Sequence, residues 1–154
     1  MHNEFYQLLE KLRQNQVAFI VIGGVACALN GFVRTTEDVD ILVEVSELNL
    51  KRLLTTLQSW GDGYAREFSP ADFSLEPGCV RLVEDFPLDI FTLVSGKKYE
   101  EYLPRARLSP HGFRYLGPAD LMQTKQNTMR EKDHIDLLAL RRIMQEEKAQ
   151  EDKS

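Results

Sequence analysis

The sequence predicts an α/β (α+β) fold in one domain that spans residues 1–154. Two kinds of segment indicate it: stretches with apolar residues at helical spacing, and short β-branched and aromatic runs that end at glycine or proline. The chain has 154 residues, of which 43% are hydrophobic, and this is enough to cover both faces of a modest sheet. A sheet flanked by helices accounts for both patterns.

The first elements are predicted to be a helix, a strand, a glycine turn and a second helix. Residues 4–15 carry apolar side chains on one helical face, which is typical of an amphipathic helix. Residues 17–22 are a β-branched and aromatic run, too short for an ordinary helix, that ends at Gly23 and Gly24. Residues 25–30 suit a helix. The two glycines therefore join a strand to the start of a helix.

The middle of the chain is predicted to contain one helix and several strands. Residues 41–43 indicate a buried strand. Ser46 can cap a helix that begins near residue 49 and ends near residues 60–61. Short strands are predicted next, at residues 64–68, 73–75 and 80–83. A longer apolar run at residues 86–94 predicts a further strand.

The C-terminal third is predicted to be mainly helical. A brief helix at residues 99–103 comes first, and residues 106–116 suit a hairpin at the edge of the sheet. Pro118 fits the first position of a helix. The remaining predictions are helices at residues 121–129 and 135–144 and a frayed, charged tail at residues 146–154.

Two aspartates at the start of the second strand are the first candidates for chemistry. Side chains alternate along a strand, so Asp38 and Asp40 should share one face, with Cα atoms roughly 6 to 7 Å apart. Carboxylates at that spacing can converge on one divalent cation or bridge two. The apolar residues 41–43 make an unpaired carboxylate costly there unless a cation compensates it. The alternative is a solvated pair at an exposed strand end, or one that caps a helix.

A third carboxylate has a similar setting. Asp89 is surrounded by apolar residues in the strand predicted at residues 86–94. If this strand lies beside the one that carries Asp38 and Asp40, three carboxylates line one cleft.

The glycine pair is the other half of the candidate site. Glycine permits positive φ and close approach of the backbone, and the start of the following helix offers unpaired N–H groups and a partial positive charge. Together these features favour phosphate. Gly23 and Gly24 match neither a Walker A loop nor a dinucleotide-binding fingerprint. A purely structural turn is the alternative.

The combined pattern resembles the nucleotidyltransferase superfamily with the polymerase-beta-like fold. Its motif is a hydrophobic strand, Gly-Gly or Gly-Ser, an interval, and then two acids that alternate with hydrophobic residues. Gly23, Gly24, Asp38 and Asp40 fill these positions, and Asp89 matches the third carboxylate on a later strand. The resemblance implies a mixed β-sheet flanked by helices, with C-terminal helices that close the cleft.

Other segments look like the small bacterial nucleotidyltransferases related to abortive-infection toxins and to aminoglycoside and lincosamide adenylyltransferases. They are residues 34–38 and the stretch from Lys125 through residues 130–140. This chain departs from many of those relatives at Gly24, where they have serine. A hydroxyl contact to phosphate is lost there, so backbone N–H groups have to suffice.

The resemblance implies a metal-dependent transfer of a nucleoside monophosphate from an NTP to an acceptor hydroxyl, with release of pyrophosphate. Asp38, Asp40 and Asp89 would hold two Mg²⁺ ions, one on the triphosphate and one that lowers the pKa of the acceptor hydroxyl. Asp89 can instead serve as general base, and the sequence does not separate these roles. The acceptor implied is a tRNA end, a protein side chain in a toxin–antitoxin pair with an antitoxin-type partner, or a small antibiotic.

Gly23 and Gly24 are then expected to bind phosphate, and Arg34 and Lys125 are candidates for triphosphate contact. An NTP carries more negative charge than its metal ions neutralise, so a cation near the C-terminal helices is expected. Arg34 and Lys125 can alternatively pair with an acid. The rival function is a non-catalytic nucleotide-binding or partner-regulating module with the same fold.

Charge and composition argue against several other classes of protein. The net charge of −5 argues against a globally basic nucleic-acid-binding surface. No run of roughly 18 or more apolar residues predicts a membrane span, and no signal-peptide pattern is seen, so a cytoplasmic protein without a membrane partner is expected. Cys27 and Cys79 are predicted to be free thiols, with Cys27 on the helix that follows the glycines.

Overall fold

The computed structural model describes residues 3–126 and 130–153. Across these residues the predicted fold class is confirmed, because a mixed sheet of six strands is flanked by helices. The strands are β1 (Phe19–Ile22), β2 (Val39–Val43), β3 (Cys79–Val83), β4 (Pro87–Phe91), β5 (Arg107–Leu108) and β6 (Arg114–Tyr115). The helices are α1 (Asn3–Gln14), α2 (Gly23–Leu29), α3 (Glu47–Leu57), α4 (Tyr99–Tyr102), α5 (Pro118–Lys125) and α6 (Glu131–Glu151).

The strand order brings the predicted acidic strands side by side. The order is β3-β4-β2-β1-β6-β5, with β2 parallel to β4, β1 parallel to β6, and the other neighbours antiparallel. Arg81 lies opposite Asp89, Asp89 opposite Asp40, and Asp40 opposite Ile22. This row of residues crosses four strands and ends next to Gly23, the first residue of α2.

A buried polar side chain fixes the start of α3 against two strands. Asn49 accepts a hydrogen bond from the N–H of Ala18 (2.7 Å) and donates to the carbonyls of Ala18 (3.0 Å) and Glu44 (2.8 Å). Ser46 caps α3 as predicted, because its hydroxyl accepts from the N–H of Asn49 at 3.2 Å. The ends of β1 and β2 are thereby tied to one helix, and α3 buries its leucine stripe in the core.

Of the three short strands predicted before β4, one is confirmed and two are wrong. Residues 80–83 lie in β3. Residues 64–68 instead contain a 3₁₀ helix that follows Gly63, whose φ is 77°. The carboxylate of Glu84 accepts hydrogen bonds from the N–H groups of residues 62 and 64, so a side chain satisfies this backbone and no strand pairing is needed. Residues 73–75 form no strand, and Phe73 is buried in the core.

The predicted hairpin and the following helix are confirmed. β5 and β6 pair antiparallel at the edge of the sheet within the predicted residues 106–116. Pro118 stands in the first turn of α5, as predicted. The helix predicted over residues 121–129 is described as far as Lys125, and residues 127–129 lie outside the described part of the chain.

The prediction of a frayed tail is wrong for residues 146–151, because α6 continues through them. Glu147 gives the physical reason: it accepts two hydrogen bonds from the guanidinium of Arg107, at 2.9 and 3.1 Å. This pair anchors the last turns of α6 to β5. Residue 154 lies outside the described part of the chain. None of the described helices has the length and apolar character that crossing a membrane requires.

The two cysteines are free, as predicted. Cys27 is buried in α2, behind the glycines, and Cys79 is exposed at the start of β3.

Candidate active site

Three carboxylates lie close together at the neighbouring strands β2 and β4. Asp38 precedes β2, Asp40 lies within it, and Asp89 is in the parallel neighbour β4. One oxygen from each of the three lies within 4.8 Å of the others. Carboxylate oxygens are the ligands that Mg²⁺ and Mn²⁺ prefer, and the group contains no histidine or cysteine. The donor set therefore fits a hard divalent cation.

The carboxyl of Asp40 has a raised pKa. Burial raises its pKa to about 8, and the nearby charges of Asp38 and Asp89 add to the effect. Such a carboxyl is protonated near neutral pH when no cation is present. A divalent cation among the three acids would remove the cause of the shift and favour the ionised form.

Gly23 stands directly against Asp40. Its φ is +67°, a left-handed conformation that side chains rarely adopt. A Cβ atom built at this position would collide with the carboxylate of Asp40. The backbone of the strand-to-helix turn thus reaches the acids only because residue 23 is glycine, and no side chain caps the start of α2 at Ile22.

Gly24 has a different role in the packing. A Cβ atom there would lie 2.6 Å from Oγ1 of Thr36 and 3.3 Å from Nη1 of Arg34. The Thr36 hydroxyl, which donates to the carbonyl of Asp38 at 3.2 Å, therefore takes the space of the absent side chain. Gly24 allows the loop before β2 to pack onto α2 and so to position Asp38.

Arg34 and Lys125 are both paired with an acid on α6. The guanidinium of Arg34 donates to the two oxygens of Asp136 at 2.6 and 2.8 Å. Lys125 Nζ lies 2.7 Å from Asp136 and 3.2 Å from Asp133. Asp136 is fully buried, and although burial opposes ionisation, the hydrogen bonds from Arg34 and Lys125 lower its pKa. The α6 acids that complete this group were not among the sequence candidates, although they stand in the stretch 130–140 that carried the resemblance.

Arg81 is a site residue that the sequence did not reveal. Its Nε donates to Oδ1 of Asp89 at 2.8 Å, and its Nη2 lies 3.1 Å from Oδ2 of Asp89 and 3.3 Å from Oδ2 of Asp38. The hydrogen bonds to Asp89 and the charges of both acids raise the pKa of the guanidinium. Its only signal was a basic residue on a short strand, and the register that sets it opposite Asp89 is not readable from the sequence.

The acids open into two adjoining cavities. The smaller, of about 190 Å³, is lined by the three acids, both glycines, and cationic side chains that include Arg130 and Lys132. The larger, of about 390 Å³, shares Gly23, Asp40, Phe91 and Lys125 with it and has an apolar wall. That wall is formed by Ile22, Phe91, Leu93 and Val94. A charged space thus adjoins one that can hold an apolar ring.

The chain matches the model of a protein family described as nucleotidyltransferase of unknown function (DUF6036) over residues 2–145. It is also similar to the crystal structure of an antigenic nucleotidyltransferase-like protein from Paracoccidioides brasiliensis. The TM-score is 0.51 and the sequence identity 17%, over 88% of this chain and 72% of that chain. At this identity the likeness shows the fold alone. No curated protein matches the sequence.

Proposed function

Because this chain belongs to that family of nucleotidyltransferases of unknown function, we propose that it transfers a nucleoside monophosphate from an NTP to an acceptor hydroxyl. The observation that carries the proposal is the convergence of three carboxylates within 4.8 Å beside a glycine turn. In this reaction the acceptor oxygen bonds to the α-phosphorus, the bond from that phosphorus to pyrophosphate breaks, and the acceptor proton passes to Asp89 or to solvent.

Asp38, Asp40 and Asp89 would hold two Mg²⁺ ions. Bound Mg²⁺ neutralises charge on the triphosphate and the leaving pyrophosphate and lowers the pKa of the acceptor hydroxyl. Asp40 has to give up its proton to act as a ligand, because its pKa is raised to about 8. Asp89 is either a ligand or the general base that accepts the acceptor proton.

The residues around the acids have different proposed roles in binding the phosphate chain. Gly23 and Gly24 offer backbone N–H groups to the phosphate chain. Arg34 and Lys125 form ion pairs with the buried Asp136, so their side chains are fixed in the wall of the cleft. There they contribute positive charge near the phosphate chain. Arg130, whose side chain is 62% exposed and lines both cavities, is better able to turn towards phosphate.

The larger cavity suits the nucleoside. Its apolar wall at Ile22, Phe91 and Leu93 can contact a flat ring. The triphosphate would then run from this cavity into the charged one. The acceptor, proposed as a tRNA end, a protein side chain or a small molecule, would approach from the open side.

One observation favours a second function, a nucleotide-binding or partner-regulating module without turnover. Arg81 pairs with Asp38 and Asp89, so two of the three acids are compensated without any metal ion. Such a module would bind nucleotide or a partner protein, including an antitoxin-type partner, and would form no product.

The discriminating experiment supplies the protein with each α-³²P-labelled NTP, Mg²⁺, and separate fractions of cellular RNA, protein and small metabolites. We expect label in one fraction, which identifies the acceptor class, and none with Asp40→Asn. Asp62→Asn, which removes an exposed carboxylate that lines neither cavity, should behave as wild type. Binding of an NTP without labelling of any fraction would favour the non-catalytic module.

A further inference from the structure

Arg81 occupies the oxygens that a divalent cation needs. Both oxygens of Asp89 and one oxygen of Asp38 are within 3.3 Å of its guanidinium nitrogens. A guanidinium and a divalent cation repel each other, and both bind carboxylate oxygens directly. The two therefore compete for these oxygens, and each weakens the binding of the other.

The position of Arg81 allows its guanidinium to move away from Asp38 and Asp89. It stands on β3, the edge strand of the sheet, and its side chain is 53% exposed. The buried pairs that hold Arg34 and Lys125 leave those cations at 17% and 8% exposure. Among the described cations that line the charged cavity, Arg81 thus combines contact with the acids and access to solvent.

We propose that Arg81 is the exchangeable counter-ion of the three acids. It stabilises Asp38 and Asp89 in the empty cleft, gives up their oxygens when a divalent cation binds, and then donates to the phosphate chain that arrives with the cation. This inference rests on the proposed function, because it assumes that the acids bind a metal ion and a nucleotide triphosphate. It assigns Arg81 as a positioning residue for the acids before binding and as a phosphate ligand afterwards.

If this exchange takes place, removal of the Arg81 guanidinium should change the binding affinity of two ligands in opposite directions. Removing the guanidinium frees the carboxylate oxygens, so a metal ion alone should bind more tightly. The same change removes a phosphate donor, so a metal-bound phosphate chain should bind more weakly. A residue that served only to keep the strand pair folded would weaken both.

The test uses Mn²⁺ alone, measured by electron paramagnetic resonance, and Mg²⁺ with inorganic tripolyphosphate, measured by calorimetry. Tripolyphosphate has the three linked phosphates of an NTP but no base, so the test does not depend on which NTP the protein uses. For Arg81→Met we expect Mn²⁺ to bind roughly fivefold more tightly and Mg²⁺-tripolyphosphate at least roughly fivefold more weakly. Arg81→Lys keeps the charge but loses the two-pronged contact, so its Mn²⁺ affinity should fall between wild type and Arg81→Met.

Arg142→Met is the matched control, because it removes an arginine paired with Glu146 on the exposed side of α6. It should leave both affinities unchanged. Equal or weaker Mn²⁺ binding by both Arg81 variants, with wild-type circular dichroism, would overturn the exchange. Wild-type protein that binds no Mn²⁺, or binds it equally well as Asp40→Asn, would instead overturn the proposed function.

Discussion

Asp40 is half-buried beside Asp38 and Asp89, and its partial burial and these charges raise its pKa to about 8. The unfolded chain has no such environment, so there the same carboxyl ionises near its ordinary pKa of about 4. Between these two pH values the folded protein holds a proton that the unfolded chain has lost. The free energy of unfolding should therefore fall as the pH rises through this window.

We predict that metal-free wild type loses stability between about pH 4 and pH 8, by at most about 1.4 kcal/mol per pH unit from this one group. Asp40→Asn cannot ionise and should lack this part of the loss. Urea unfolding at several pH values, with a chelator present, measures the difference between the two proteins. If the free energy of unfolding changed with pH equally in both proteins, the raised pKa of Asp40 would be contradicted.

Gly23 is the second residue whose local setting makes a direct prediction. Gly23→Ala places a side chain in a left-handed conformation and against the carboxylate of Asp40. We expect a loss of about 2–3 kcal/mol in the free energy of unfolding and weaker Mn²⁺ binding, because Asp40 has to move.

Gly96→Ala is the matched control for this prediction. Gly96 has a similar φ of +75°, but a Cβ atom there would meet nothing within 4 Å. Its replacement should cost only the backbone strain, about 1 kcal/mol, and leave Mn²⁺ affinity unchanged. An equal loss for the two variants would mean that contact with Asp40 does not constrain residue 23.

Ion pairs hold three elements together at the scale of helices and loops. Asp136 on α6 receives hydrogen bonds from Arg34, in the loop before β2, and from Lys125 at the end of α5. That loop leads directly into Asp38. The position of α6 is therefore coupled to the position of one of the three acids.

We predict that Asp136→Asn lowers the free energy of unfolding by about 3 kcal/mol, because it leaves two cations with partly uncompensated charge at a buried site. Glu146→Gln removes an exposed carboxylate of the same helix, paired with Arg142, and should change stability by less than about 0.5 kcal/mol. Chemical unfolding followed by circular dichroism compares the variants. Similar small losses for both would show that Asp136 is not a structural anchor.

The sequence revealed the acids because their pattern is local. An Asp-x-Asp pair next to apolar residues predicts one face of a strand, and Asp89 in a second apolar run predicts a second acidic strand. The sequence left open whether the two strands are neighbours, and the structure pairs β2 parallel with β4 and sets Asp40 directly opposite Asp89. The roles of these residues as ligands stay predictions.

The sequence did not predict Arg81, Asp133 and Asp136 as site residues, and the reason is physical. Arg81 and Asp133 each pair with a residue eight positions away, and Asp136 pairs with one 102 positions away. All three pairings depend on strand register or on helix rotation, which short-range patterns do not encode. Glu84 is a similar case, since its bonds to the backbone of the turn near Gly63 replaced a predicted strand by a 3₁₀ helix. The tail of α6 was also misjudged because Arg107 anchors it from a distant strand.

Charge is distributed unevenly over the molecule as a whole. The chain has a net charge of −5, yet the described residues around the smaller cavity include five cationic and four acidic side chains. A triphosphate is thus not repelled by the cleft, although the overall charge opposes it. A phosphate placed directly against Asp38, Asp40 and Asp89 would still be repelled by them, so its binding at that point should require a divalent cation.

This requirement leads to a prediction for the whole folded protein. At about 100 times its dissociation constant, an NTP with Mg²⁺ should add about 2.7 kcal/mol of stability, which is a rise of roughly 5–10 °C in Tm for a chain of this length. At a fixed concentration of NTP and Mg²⁺ the rise should be larger at pH 8.5 than at pH 6.5, because ligation requires Asp40 to release the proton that its raised pKa retains. Differential scanning fluorimetry with each NTP, with and without a chelator, measures both effects. Asp62→Asn should melt as wild type does, whereas Asp40→Asn should show no rise. An equal rise in the presence of chelator would mean that the nucleotide binds without the acids, and the cleft would then lose its assignment as a metal-dependent site.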